Sequence, residues 1–174
     1  VAEIITEYFV HFENALTQGL GFIFFGANGV GKTLSMCEVG RRGIIAQKEV
    51  MYATVQQLVD WQNPQATDDD NILLDRLKAS QIILLDELDK VYMKRDSDWV
   101  PKIVEGFLRE TLSQNKVVVI ATNITKEELS EFFGGIYGSS IESLLKRHLK
   151  FVTFSGSDYS KELHSSWLKR LKKP

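Results

Sequence analysis

The sequence predicts an α/β fold of three layers, in which a mostly parallel sheet of five strands lies between helices. Three observations predict it. Short apolar runs alternate with amphipathic helical stretches along most of the chain. Two of those runs, Ile82-Ile83-Leu84-Leu85 and Val117-Val118-Val119-Ile120-Ala121, are apolar without interruption, as strands covered on both faces require. The run Phe22-Ile23-Phe24-Phe25 empties directly into Gly26-Ala27-Asn28-Gly29-Val30-Gly31-Lys32-Thr33, so a strand feeds a glycine-rich loop that opens a helix.

Taking the elements in order, Ile5, Tyr8, Phe9, Phe12 and Leu16 recur at helical spacing and predict one amphipathic helix that packs on the sheet. Gly19 and Gly21 break it, and the first strand spans 20–25. A helix over 32–46 follows the loop, then a short strand over 50–53. Thr54 is placed as the N-cap of a helix carrying Val55, Leu58, Val59 and Trp61, which Asn63-Pro64 terminates. Asp68-Asp69-Asp70-Asn71 lacks the glycine and distal glutamate of a calcium loop and reads as a solvated helix start. The third strand closes in Asp86-Glu87. Trp99, Ile103, Phe107, Leu108 and Leu112 mark a core-facing helix before the strand at 117–121. Thr125 with Glu128 forms a capping box for a short helix ending at Gly134-Gly135. A helix over 140–146 and a strand over 151–154 complete the pattern.

At 174 residues the chain fits one domain, 44% apolar and 25% charged, which is globular composition. A net charge of −2 excludes a histone-like polyanion binder, so any contact with nucleic acid rests on local basic patches or on assembly of several copies. One cysteine, Cys37, permits no disulfide within the chain, and His11, His148 and His164 have no metal-ligand spacing. No apolar stretch is long enough to span a membrane, and a cytoplasmic location is the expectation. The sequence begins at Val1 and not at Met, which raises the expectation of an N-terminal partner-binding domain upstream.

The spacing G-x-x-x-x-G-K-T suits a phosphate chain. Several backbone N–H groups must point inward at once, which a glycine-rich loop can arrange, and the helix that follows adds its N-terminal partial charge. Gly26, Ala27, Asn28, Gly29, Val30, Gly31, Lys32, Thr33 and Leu34 are the expected nucleotide contacts. Lys32 reaches the β- and γ-phosphates, and the Thr33 hydroxyl is an oxygen ligand of the kind Mg²⁺ takes. Three apolar strands end in polar residues, at the loop, at Asp86-Glu87 and at Thr122-Asn123, and in an open parallel sheet those ends converge. Asp86 is the second metal candidate. Glu87, aimed differently one residue on, is the candidate general base for water, and Asn123 offers an amide to water and γ-phosphate.

The phosphate loop, the Leu-Leu-Asp-Glu strand end, Ala-Thr-Asn, Ser-Leu-Leu-Lys-Arg and the closing Phe-Ser-Gly-Ser-Asp-Tyr together resemble AAA+ ATPases of the DnaC/IstB type, over residues 12–159. The resemblance implies a P-loop NTPase domain without a separate helical lid, binding ATP or ADP with Mg²⁺ and self-associating through its nucleotide site. It implies slow hydrolysis, stimulated by assembly or DNA, by a protein acting on a replicative helicase and single-stranded DNA. A helper ATPase for a transposase on duplex DNA is the near alternative. The family places a trans-acting arginine in Ser-Arg-Leu, whereas this chain reads Ser143-Leu144-Leu145. Arg147 is the candidate in its stead, and the leucine also keeps open a nucleotide-gated adaptor with little hydrolysis.

A small-molecule kinase is the competing enzyme class, but the sequence shows no arginine-rich lid. Three basic clusters are candidate DNA contacts: Lys146, Arg147, His148 and Lys150; Lys169, Arg170, Lys172 and Lys173; and Lys90, Lys94 and Arg95. By resemblance, residues 54–79 occupy the place of pore-lining helices, where Gln56, Gln57 and Lys78 are the only contacts its acidity favours.

Overall fold

The computed structural model describes residues 2–91, 98–134 and 138–158, without the side chains of 138–140. The elements are α1 (Ala2–Val10), α2 (Phe12–Gln18), β1 (Gly21–Phe25), α3 (Lys32–Ile45), β2 (Val50–Thr54), α4 (Val55–Trp61), α5 (Asp68–Ala79) and β3 (Ile82–Asp86). After a 3₁₀ turn at Leu88–Lys90 come α6 (Trp99–Ser113), β4 (Val117–Thr122), α7 (Lys126–Phe133), α8 (Gly138–His148) and β5 (Leu149–Thr153).

The five strands form one sheet in the order β2-β3-β4-β1-β5, and every pairing is parallel. Alternate side chains of β1 serve the two faces. Phe22 and Phe24 join Met36, Val39, Leu84 and Val119 beneath α3, whereas Ile23 and Phe25 join Leu58, Leu77, Phe107 and Leu108 beneath α4, α5 and α6. Two cores on opposite faces make the predicted three layers. Helix α3 approaches closely because Gly43 has no side chain; a Cβ there would lie 2.3 Å from Ile82 Cδ1.

The N-terminal segment differs from its expected form. One helix over Ile5 to Leu16 becomes two, broken at His11, whose φ of −109° and ψ of 29° leave the helical region. Across the break Tyr8 and Phe12 stay in contact, with ring centroids 5.7 Å apart, while Tyr8 also packs 4.5 Å from Phe22 and donates its hydroxyl proton to Leu20 O at 2.8 Å. Burial of that phenol pushes its pKa well above the usual tyrosine value.

Capping chemistry fixes the helix starts facing the rim that carries the functional residues. Thr54 with Gln57, and Thr125 with Glu128, close the capping boxes at α4 and α7. The acidic run is the start of α5, where Thr67 pairs with Asp70 in a third box and three aspartates sit in the first turn, favourable beside the helix N-terminus. Helix α8 and strand β5 begin earlier than the sequence suggested. Among the described residues no helix is long and apolar enough to cross a membrane.

Candidate nucleotide site

The loop between β1 and α3 lies at the carboxyl edge of the sheet. Gly26 has φ of +143° and Gly29 of +78°, conformations that side chains other than glycine rarely adopt. Both also lie under the segment that follows β5. Phe154 N donates to Phe25 O at 2.7 Å, a Cβ on Gly26 would meet Phe154 O at 2.5 Å, and one on Gly29 would meet Asp158 Oδ1 at 1.8 Å. The loop is therefore backed at Gly26 and Gly29 by the chain's later residues.

Lys32 opens α3 and is buried. Its ammonium donates to Gly26 O and Ala27 O, each at 2.7 Å, and to Asn123 Oδ1 at 2.8 Å. Burial lowers its pKa, opposed by the charges of Asp89 and Asp86. Thr33, next on α3, donates its hydroxyl proton to Asp86 Oδ2 at 2.9 Å. Asp86, also buried, accepts from Glu87 N at 2.8 Å and from the Tyr52 hydroxyl at 3.3 Å. Burial and the Asp86 charge push the Tyr52 phenol up to about 12.

Glu87 departs from the strand in the left-handed region, at φ +61° and ψ +41°, an uncommon conformation for a residue with a side chain. Lys90 Nζ donates to Glu87 Oε1 at 2.5 Å. One turn position earlier, Asp89 reaches across to β4. Asp89 Oδ1 accepts from Asn123 N at 2.9 Å and from Thr122 Oγ1 at 3.2 Å, and Oδ2 accepts from Asn123 Nδ2 at 2.7 Å. Burial works to raise the Asp89 pKa, but the hydrogen bonds from Asn123 and Thr122 outweigh it and hold the carboxyl below the usual range.

The three strand ends thus meet around a cavity of about 260 Å³. Of the residues expected from the sequence, Asn28, Gly29, Gly31, Lys32, Thr33 and Leu34 line it from the loop side. Asp86, Glu87 and Asn123 line it from the other strands. Gly26 and Ala27 contribute through the carbonyls that hold Lys32. Val30 turns its side chain into the core under α3. Arg147 is not brought to this cavity. It is exposed at the end of α8, just before Leu149, which pairs with Gly21 at the amino end of β1. About 13 Å of strand separate that level from the loop. Leu144, where the family pattern has arginine, is half-buried and packs on the core.

Tyr52, Asp89 and Asp158 were not singled out from the sequence. An acid two residues beyond Glu87 is the one signal for Asp89, Asp158 falls within the closing Phe-Ser-Gly-Ser-Asp-Tyr motif, and Tyr52 carries none. Among the basic candidates, Lys146 pairs with Glu142 and Lys90 with Glu87, while Lys78 pairs with Glu110. Gln57 closes the α4 capping box. Arg147 and Lys150 are exposed beside half-buried His148, whose pKa is lowered by burial and by the Arg147 charge. Lys94, Arg95, Gly135, Tyr159, His164, Lys169, Arg170, Lys172 and Lys173 lie outside the described residues.

The donor set fits Mg²⁺. Thr33 and Asp86 present hard oxygen ligands side by side, and a magnesium ion with a nucleotide takes only one or two protein oxygens, completing its shell with phosphates and water. No group of three or more His, Cys, Asp or Glu suited to a metal occurs among the described residues.

A strand-loop-helix phosphate cradle, an acidic strand end and a polar strand end on a parallel sheet define a P-loop nucleotide-binding domain. The model of the ATPase family associated with various cellular activities (AAA) matches residues 22–135, and the chain belongs to that family. No curated protein matches the sequence. Among solved structures, the crystal structure of DnaI superposes with a TM-score of 0.62 at 17% identity, covering 80% of this chain and 72% of that one. The DnaC helicase loader gives 0.57 at 19%, covering 80% and 81%. AMPPCP-bound DnaA from Aquifex aeolicus gives 0.67 at 13%, covering 99% of this chain and 51% of that one, so the chain spans about half of DnaA's length. These are likenesses of fold, and they accord with the DnaC/IstB-type resemblance of the motifs.

Proposed function

We propose that this chain is an ATP-binding and ATP-hydrolysing switch that loads or remodels a replicative DNA helicase on single-stranded DNA. The observation that carries the reading is the convergence of Lys32, Thr33, Asp86, Glu87 and Asn123 on one cavity at the carboxyl edge of a parallel sheet. Lys32 binds the β- and γ-phosphates and Asn123 lies beside them. Thr33 and Asp86 hold Mg²⁺, which when bound neutralises charge on the phosphate oxygens. Glu87 takes the proton from the attacking water.

Residues 1–174 act as a single AAA+ domain. Arg147, exposed at the far end of the sheet, serves the nucleotide of a neighbouring copy and not its own. The helicase assignment draws on the fold likeness to DnaI and to the DnaC helicase loader, and the single-strand preference on likeness to a DnaA structure bound to AMPPCP and single-stranded DNA.

A second reading, a nucleotide-gated adaptor with little turnover, is favoured by one observation: Leu144 packs on the core where the family pattern places arginine. ATP turnover with and without single-stranded DNA, across salt concentrations, separates the two. The switch predicts turnover that DNA stimulates and salt suppresses. The adaptor predicts turnover that neither changes, with complex formation lost in Lys32→Ala. No heat on mixing MgATP with folded protein would sink both.

A further inference from the structure

Asn123 lies between two groups of opposite hydrogen-bonding capacity. On one side the Asp89 carboxylate, which only accepts, is 2.7 Å from the amide nitrogen; on the other the Lys32 ammonium, which only donates, is 2.8 Å from the amide oxygen. Reversing the amide would set oxygen against carboxylate and NH₂ against ammonium. Its orientation is therefore fixed by its neighbours' chemistry.

The grip has a second point. Asp89 Oδ1 also accepts from the backbone N–H of Asn123 and from the Thr122 hydroxyl, so one carboxylate holds both the main chain and the side chain at the end of β4. Asp89 is itself held. It sits in the turn closed by Lys90 N donating to Glu87 O at 3.0 Å, next to Leu88, which is buried in the core.

We infer that Asp89 is a positioning residue that orients the Asn123 amide with its carbonyl toward Lys32, and so sets where the lysine ammonium lies at the mouth of the phosphate cradle. This rests on the reading of the cavity as an ATP site, and it extends that reading to a residue that needs no contact with the nucleotide. Asp89→Asn keeps shape but turns one acceptor into a donor. Whichever way the new amide faces, one of the two Asn123 donors, the side-chain NH₂ or the backbone N–H, meets an NH₂, so the two-point grip on Asn123 is broken.

The test is a double-substitution cycle in the intact chain. Asp89→Asn is expected to lower kcat roughly tenfold while KM for MgATP moves less than about threefold, because misdirecting a positioned group costs mainly the reacting geometry. On an Asn123→Ala background the same change is expected to alter kcat by less than about twofold, since Asp89 acts through Asn123. A full tenfold loss on that background overturns the inference. A second readout needs no hydrolysis: the ¹⁵N side-chain amide resonance of Asn123, assigned by its loss in Asn123→Ala, should shift in Asp89→Asn without nucleotide present. An unmoved resonance also overturns the inference, whereas an absence of turnover in the wild type overturns only the proposed function. Should Asp89→Asn fail to fold, Asp89→Glu, which carries its charge one methylene out of place, must show the same coupling to Asn123.

Discussion

Thr33 and Asp86, 53 positions apart in the sequence, are joined by a 2.9 Å hydrogen bond from hydroxyl to carboxylate. The second residue of α3 is thereby fixed to the last residue of β3. Neither oxygen has to travel far to share a hard cation. Asp86→Asn keeps the size and halves the acceptor capacity. The Mg²⁺ concentration giving half-maximal ATP binding is expected to rise about tenfold or more, in line with the cost of disturbing a charged ligand. Calorimetric titrations of ATP over a Mg²⁺ series measure it, and an unchanged requirement would remove Asp86 from the metal site.

Glu87→Gln removes the proposed proton acceptor and leaves the cradle alone. Turnover should fall by about 10²- to 10⁴-fold, the usual contribution of a positioned base. MgATP affinity should stay within about threefold. Single-turnover phosphate release and equilibrium binding on the same preparation check the pair, and a parallel loss of affinity would show that Glu87 holds the nucleotide.

Gly29→Ala meets two obstacles at once, a backbone at φ +78° and the Asp158 carboxylate 1.8 Å from the new methyl carbon. The conformational cost alone is about 1–2 kcal/mol. That corresponds to a fall in Tm of roughly 2–8 °C for a chain of this size. Adding Asp158→Ala should relieve the contact and leave the backbone cost, so differential scanning calorimetry should find partial recovery. Complete recovery would mean that the loop accepts a side chain at this position.

Asp89 makes stability depend on acid. Its folded pKa lies below the ordinary aspartate value of about 3.9. The carboxylate form is thus favoured by folding, its contribution is complete above that ordinary value, and it is lost as pH falls through the lower folded value. Urea midpoints measured from pH 7 to pH 2.5 should therefore converge for wild type and Asp89→Asn on acidification. A gap that stays constant across the range would contradict the assignment.

Much of this arrangement was readable along the chain because it is written in consecutive residues. The phosphate loop, the Asp86-Glu87 strand end and Thr122-Asn123 each follow a strand that is apolar throughout, and parallel strands must deliver their carboxyl ends to one edge. The edge strand β5 was harder to bound. It is covered less completely, with Leu149 and Val152 buried and Lys150 and Thr153 exposed, so its pattern carries less signal. The break at His11 leaves the apolar spacing on either side intact and is invisible to periodicity. Tyr52 and Asp89 act across strands, Tyr52 from β2 to Asp86 and Asp89 from a 3₁₀ turn to Asn123, and only the folded register brings those partners together.

The 3₁₀ turn after β3 is three residues long, yet its Asp89 reaches Asn123 at the end of β4 and its Lys90 holds Glu87 at the turn's start. On the proposed reading, the carboxylate that activates water and the amide beside the phosphates share one short lever. Displacing that lever would disturb both together, so a partner seeking to silence this domain has a single place to push.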